Sequence, residues 1–155
     1  MLAEVLIVSA MPISEIRGGI PLAIYYGLNP ISAYLVAFVG NLIPIPLLLL
    51  SLDKLMKFMM RMDGFKGFYN RLIERVEKKR DLIEKYGYIG LTLFVAIPLP
   101  ITGAWTATLL AIVLNLKKVK SLLFISVGIG IAGLIVLTTT IGVLNLLKSF
   151  QLPLQ

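Results

Sequence analysis

The hydrophobic pattern divides the chain into four apolar stretches, residues 2–28, 31–52, 89–116 and 121–147, with one long polar stretch, 53–88, between the second and third. The second stretch carries no charge. At about 1.5 Å per residue it reaches roughly 33 Å, enough to cross a hydrocarbon core of about 30 Å. Pro44 and Pro46 are expected to kink it. The fourth is also uncharged and long enough to span with tilt. The first and third are broken in their middles, the first by Pro12, Ser14, Glu15, Arg17, Gly18, Gly19 and Pro21, the third by Pro98, Pro100 and Gly103. Each half of a broken stretch is too short to cross as a helix, but each can reach mid-bilayer.

The polar stretch predicts a different element. Tyr69, Leu72, Val76, Ile83 and Tyr86 form a helical stripe, and Glu74 with Lys78 and Asp81 with Lys85 are i,i+4 pairs in the favoured order. An amphipathic helix on the membrane surface or against the bundle is expected, with a partner-binding helix as the alternative.

The two halves repeat one order: apolar stub, proline-rich break, apolar stub, uncharged span. An offset of 86 residues places Pro12 on Pro98, Leu28 on Leu114 and Asn29 on Asn115. The positive-inside rule puts both basic connectors, 53–88 and 117–120, in the cytoplasm. Residues 89–116 must then enter and leave on one side, as a re-entrant hairpin. By the same logic 2–28 is a hairpin from the opposite side. The fold expected is therefore all-α: one membrane domain, 1–155, built as an inverted repeat of re-entrant helical hairpin plus transmembrane helix. Its parts are repeat one (1–52), an amphipathic cytoplasmic connector (53–88), repeat two (89–147) and a tail (148–155). The rival topology has four full spans, with the basic cluster Lys117, Lys118 and Lys120 outside.

Composition reinforces the membrane reading. The chain is 58% hydrophobic and 15% charged, against about 25% charged in a soluble domain. Of its 23 charged residues, 16 fall within 53–88. The net charge of +7 does not point to nucleic acid, because the basic residues flank apolar spans as cytoplasmic anchors do. Cys and His are both absent, which removes thiolate and imidazole metal sites, disulfides, Cys nucleophiles and Ser–His triads. No enzyme, cofactor or metal is expected. With no basic n-region, an early Glu4 and Pro12 in the apolar run, the start of the chain does not read as a signal peptide.

The chemistry sits in the breaks. A broken helix in lipid survives only where protein or a wet cavity satisfies its backbone. In Met11-Pro12-Ile13-Ser14-Glu15-Ile16-Arg17-Gly18-Gly19-Ile20-Pro21, the glycines permit unusual backbone angles and close approach, and Pro21 suits the first turn of the following half-helix. The positive end of that half-helix beside Arg17 makes an anion site. In the second break Thr102 is a candidate N-cap, so a second helix N-terminus is expected to face the first. Gly103 lies at that break, and Trp105, Thr106 and Thr108 line the cavity, with plain packing or an interfacial anchor as the alternative for Trp105.

Glu15 and Arg17 are either a structural neutralising pair or a working one, in which Arg17 grips an anion and Glu15 takes up a proton or cation. Low dielectric disfavours a charged carboxylate and a nearby arginine favours it, so the two effects oppose. Asn41, mid-span, needs a hydrogen-bond partner and serves the cavity or a helix contact. Ser126 with Gly130 and Gly128 with Ala132 are small-xxx-small pairs that mark helix packing or a dimer face.

The pair of motifs Glu15-Ile16-Arg17-Gly18-Gly19-Ile20-Pro21 and Pro98-Leu99-Pro100-Ile101-Thr102-Gly103-Ala104-Trp105 resembles the small multidrug export protein family, itself similar to the DedA superfamily. The resemblance covers about residues 1–147. It implies two re-entrant hairpins in an inverted repeat, and transport or scrambling of lipids, including polyprenyl phosphates, coupled to protons or sodium. By the same resemblance Glu15 is the coupling residue and Arg17 a phosphate contact. DedA proteins usually carry basic residues near their second hairpin, and 89–116 has none. The expected function is thus a flippase or scramblase for an anionic lipid or polyprenyl phosphate in the plasma membrane, as a homodimer. The alternatives are a lipophilic-cation efflux protein and a non-transporting membrane scaffold.

Overall fold

The computed structural model describes residues 1–59, 86–97 and 103–149, with side chains through Ser51 in the first of these. The described residues form seven helices and no strand: α1 (Leu2–Ala10), α2 (Glu15–Tyr25), α3 (Pro30–Leu42), α4 (Pro44–Met59), α5 (Tyr88–Ala96), α6 (Ala104–Val113) and α7 (Lys118–Ser149). The amphipathic helix expected before Tyr86 lies outside them, as do Pro98, Pro100 and Thr102.

Local chemistry sets the boundaries. Met11 precedes a proline and is extended, which stops α1. Gly27 (φ 82°) closes α2: its N–H donates to the Ile24 carbonyl at 2.9 Å and that of Leu28 to Ala23 at 3.1 Å. Asn29 then caps α3 by accepting from the Ser32 N–H at 2.8 Å, with Pro30 in the first turn. α6 ends in the same way as α2: Asn115 (φ 51°) donates to Ile112 at 3.0 Å and Leu116 to Ala111 at 2.8 Å.

These caps revise the internal alignment. Asn29 begins a helix and Asn115 ends one, so the matched Leu-Asn pairs are not equivalent. Gly27 corresponds to Asn115 and Pro30 to Lys118, both 88 residues apart, whereas α1 and α5 keep the spacing of 86. The surplus lies in the second break, residues 97–103, where the first occupies only 11–14.

Two further expectations change. The half-helix after the first break begins at Glu15, so Pro21 lies inside α2 and not in its first turn; the helix forgoes one backbone hydrogen bond there. Gly18 and Gly19 are not in the left-handed region. They allow close approach: a Cβ at Gly18 would meet that of Ser14 at 2.7 Å, and one at Gly19 would fall on the Ser9 hydroxyl. The proline pair in the second apolar stretch does interrupt it: α3 and α4 meet at Ile43, with Pro44 opening α4.

α1 and α2 form one hairpin, packed on α3, and α5 and α6 form a second. Tyr26, just after α2, donates its hydroxyl to Glu4 at the base of the first. The base of the second is closed by the Lys117 N–H donating to the Tyr88 hydroxyl at 3.0 Å. In lipid, apolar burial does not drive helices together, so contacts depend on small residues that let backbones approach. α3 presents Ala33, Ala37 and Gly40, and α6 presents Ala104, Ala107 and Ala111, all buried.

α7 threads both hairpins. Its start carries Lys120 over the Tyr88 ring (5.8 Å) and Phe124 against the same ring (5.6 Å). Further along, the Phe124 carbonyl accepts from Thr92 at 2.8 Å and Gly128 packs on Val95. Then Gly130 accepts from the Tyr34 hydroxyl at 3.0 Å and Gly133 receives Ile16 from the start of α2. Gly128 and Gly130, from the small-xxx-small pairs, thus serve packing within the chain. From Phe124, beside the base of the second hairpin, to Gly133, beside the tip of the first, the helix rises about 14 Å.

Among the described residues, two apolar helical stretches are long enough to cross a membrane, Pro30–Ser51 and Lys118–Ser149. Only 33% of either apolar window is buried inside the protein, and large apolar side chains such as Leu35, Val39, Leu47, Leu123, Val127 and Leu134 face outward. That is the pattern of helices solvated by lipid rather than of core helices in water.

Candidate functional site where the hairpin tips meet

The first tip is short and folded back. The Ser14 hydroxyl donates to the Val8 carbonyl at 2.6 Å, and the Glu15 N–H donates to Met11 at 3.0 Å. Glu15 takes φ 48°, a left-handed conformation that costs a non-glycine residue about 1–2 kcal/mol. That backbone turn carries its side chain into the protein, where the residue is 6% exposed.

The carboxylate lands on the other hairpin. Trp105 donates its backbone N–H to Glu15 Oε1 at 3.4 Å, and the Ala104 N–H also faces the carboxylate. A Cβ on Gly103 would coincide with the carboxylate, so the seat exists because residue 103 is glycine. Gly103 itself is extended and supplies no side-chain cap to α6. The first N–H groups of a helix have no partner within it, and a carboxylate there is stabilised by roughly 0.3–1 kcal/mol, more when partly buried. Glu15, not a residue of its own hairpin, fills that role for α6.

A second bond runs the other way. The Trp105 indole Nε1–H donates to the Ala10 carbonyl at 3.1 Å, meeting the C-terminal end of α1, whose last carbonyls equally lack partners within the helix. Each hairpin therefore caps a broken end of the other. Trp105 is a strap between the tips.

Arg17, in the first turn of α2, is half-buried, and its charge acts on Glu15. Asn41 is 1% exposed, and its Oδ1 has no hydrogen-bond partner among the described residues. Its neighbour Gly40 packs on Leu6 and Ser9 of α1. Thr106 is half-buried; Thr108 is buried and bonds back to Ala104 at 2.6 Å within α6. Pro12 is exposed at the first tip. The structure thus joins Glu15, Gly103 and Trp105 directly, sets Arg17 beside them, and uses Gly18 and Gly19 to pack α2. The Ala10 carbonyl, which receives the Trp105 indole, has no counterpart in the sequence reading, because a backbone acceptor leaves no side-chain signal. At the base of the first hairpin, the hydrogen bond from Tyr26 holds the Glu4 carboxyl below the usual carboxylate range.

Outward-facing apolar helices, paired broken hairpins and a carboxylate held between their tips define a helical membrane protein with a polar junction inside it. The family model described as "Putative small multi-drug export protein" matches residues 15–135, and the chain belongs to that family. No curated protein and no solved structure matches the chain.

Proposed function

We propose that this chain exports lipophilic small molecules across the plasma membrane, with Glu15 as the shared site of a coupling proton and a cationic substrate. The observation that carries the reading is the burial of the Glu15 carboxylate at the junction of two hairpin tips. A carboxylate in lipid is costly unless it has work or a partner. Here its partners include the backbone N–H groups that open α6. A proton and a cation cannot both neutralise one carboxylate, so each displaces the other, and that competition is the exchange step. No covalent chemistry, cofactor or nucleic acid enters the scheme.

The placement that goes with this reading is an inverted repeat. The hairpins enter from opposite faces, with the connector 53–88 and residues 117–120 in the cytoplasm. The rise of about 14 Å along α7 from the base of the second hairpin to the tip of the first supports a meeting of the tips near mid-membrane, since half a hydrocarbon core is about 15 Å.

A second reading is favoured by the charge beside the site. Arg17 and the α6 N-terminus together suit an anionic lipid headgroup or a polyprenyl phosphate, and scrambling of the DedA kind follows if that headgroup passes between the tips. A homodimer and coupling to sodium remain part of the proposal in either form.

The test is efflux of tetraphenylphosphonium from proteoliposomes under an imposed pH gradient. Glu15→Gln keeps size and hydrogen bonding and is expected to lower pH-driven efflux at least tenfold. Full efflux by this variant removes Glu15 from the mechanism. Arg17→Ala, assayed on lipid-phosphate translocation, tests the second reading; an unchanged rate ends it.

A further inference from the structure

We infer that Ser9 of α1 and Asn41 of α3, with the open carbonyl end of α1, form a buried binding site for a monovalent cation, sodium, inside the first repeat. The site gives the sodium coupling of the export reading a location; its role in transport rests on that reading, its existence does not. Ser9 is fully buried, and two glycines make room for it. A Cβ at Gly19 of α2 would fall on the Ser9 hydroxyl, and one at Gly40 of α3 would meet the Ser9 Cβ at 2.9 Å. Asn41, 1% exposed, follows Gly40 and stands one turn beyond Ala37, whose Cβ would lie 3.1 Å from a Cβ at Gly19. Ala37, Gly40 and Asn41 are all buried on one face of α3, so Ser9 and Asn41 belong to one contact between α1 and α3. Among the described residues, neither the Ser9 Oγ nor the Asn41 Oδ1 has a hydrogen-bond partner. A hydroxyl in an apolar helix can bond back to a carbonyl of its own helix, as those of Ser51, Thr108, Ser126 and Thr140 do here. Ser9 forgoes that bond and turns its hydroxyl to α2. Two orphaned oxygens buried in one helix contact call for a common ligand.

The donor set selects the ligand. α1 ends one residue after Ser9. Of its last four carbonyls, Ile7 accepts from the Met11 N–H at 3.1 Å, Val8 from the Ser14 hydroxyl and Ala10 from the Trp105 indole, while that of Ser9 has no such partner among the described residues. A helix C-terminus carries partial negative charge, and half-helix ends of this kind coordinate sodium in transporters built from broken helices. Glu15 stands four residues from Gly19 on the buried face of α2 and adds negative potential; Arg17, two residues from Gly19, does not share that face. A hydroxyl, an amide oxygen and a carbonyl are hard, neutral donors, which suit sodium. Calcium and magnesium draw on carboxylates, and zinc and copper on nitrogen and sulfur. An anion gains nothing from the Asn41 Oδ1, which only accepts. A water molecule can bond the same oxygens, but without preferring one salt over another.

The purified full chain is melted in detergent with sodium, potassium or choline chloride at equal ionic strength. Sodium is expected to raise its Tm saturably over choline, by about 3–6 °C at ten times its Kd, and potassium by less. Ser9→Ala and Asn41→Leu are each expected to melt no lower than the wild type in choline chloride and to bind sodium at least tenfold more weakly. Ser9→Ala removes a single atom and serves where Asn41→Leu does not fold. Ser126→Ala is the control: its hydroxyl bonds within its own helix, and the sodium shift should be kept in full. A wild type that melts alike in sodium and choline overturns the site and leaves a bridging water in its place. Full sodium shifts in both Ser9→Ala and Asn41→Leu overturn it as well, because the ion then binds elsewhere. Equal shifts in sodium and potassium overturn the assignment to sodium. The melting readout is separate from efflux: a sodium shift without sodium-driven efflux ends the coupling role and keeps the site, and pH-driven efflux without a sodium shift does the reverse.

Discussion

The two hairpins share an outline and divide the chemistry. Both consist of two short helices, and both close the second helix with the same left-handed cap, at Gly27 and at Asn115. The first carries Glu4, Glu15 and Arg17; the described part of the second carries no charge, and by sequence neither does its break. The first break is short and tightly turned, the second longer by three residues. The consequence is a donor and a receiver. The first hairpin sends out a carboxylate and an open carbonyl end, and the second offers a bare helix N-terminus and an indole N–H. Among the described residues, each tip supplies a partner to a broken end of the other. In lipid, where unpaired backbone groups cost several kcal/mol, that dependence holds the two halves in register.

The sharpest way to break the arrangement is to fill the seat. Gly103 is extended, a conformation any residue adopts, so Gly103→Val acts through the Glu15 contact and not through backbone strain. It is expected to destabilise the protein by about 2–4 kcal/mol and to abolish efflux, measured by thermal unfolding and proteoliposome assay. Gly142→Val is the control: nothing lies within 4 Å of its added Cβ, and Tm should stay unchanged. Equal effects of the two substitutions would remove the tip contact from the account.

Trp105→Phe keeps an aromatic ring and deletes the bond to Ala10. A loss of about 1 kcal/mol is expected, with the α5–α6 hairpin gaining hydrogen exchange before the α1–α2 hairpin does. No change in stability would mean that the strap contributes only packing. Smaller still is Asn41→Leu. Because its buried Oδ1 has no partner among the described residues, the substitution should leave stability unchanged or raise it by about 1 kcal/mol. Stability that rises while efflux falls assigns Asn41 to transport, and a clear loss of stability shows that Asn41 has a partner in the membrane.

The comparison also shows what sequence can carry. The two apolar spans, the positions of both breaks and the repeated element order follow from hydrophobic runs and prolines, which report local constraints. So does the singling out of Glu15, because a charge in an apolar run is costly wherever it lies. The start of α2 was misplaced at Pro21, since a proline tolerated inside a helix looks the same in sequence as one that begins it. The Leu-Asn alignment was misread because asparagine serves two unrelated cap positions, as an N-cap at Asn29 and a left-handed stop at Asn115. The pairing of Glu15 with Gly103 and Trp105 was out of reach: it joins residues about 90 positions apart through backbone N–H groups that every residue possesses.

The proposal that the hairpins enter from opposite faces and touch at mid-membrane is tested most directly by single-cysteine labelling, which the absence of native cysteine makes clean. Tyr25, 83% exposed at the base of the first hairpin, Val119, exposed near the base of the second, and Ile13, 95% exposed at the first tip, each report one position. A membrane-impermeant maleimide applied to oriented vesicles is expected to label Tyr25→Cys from one side, Val119→Cys from the other and Ile13→Cys from neither. Labelling of Tyr25→Cys and Val119→Cys from the same side, or ready labelling of Ile13→Cys from water, would contradict it.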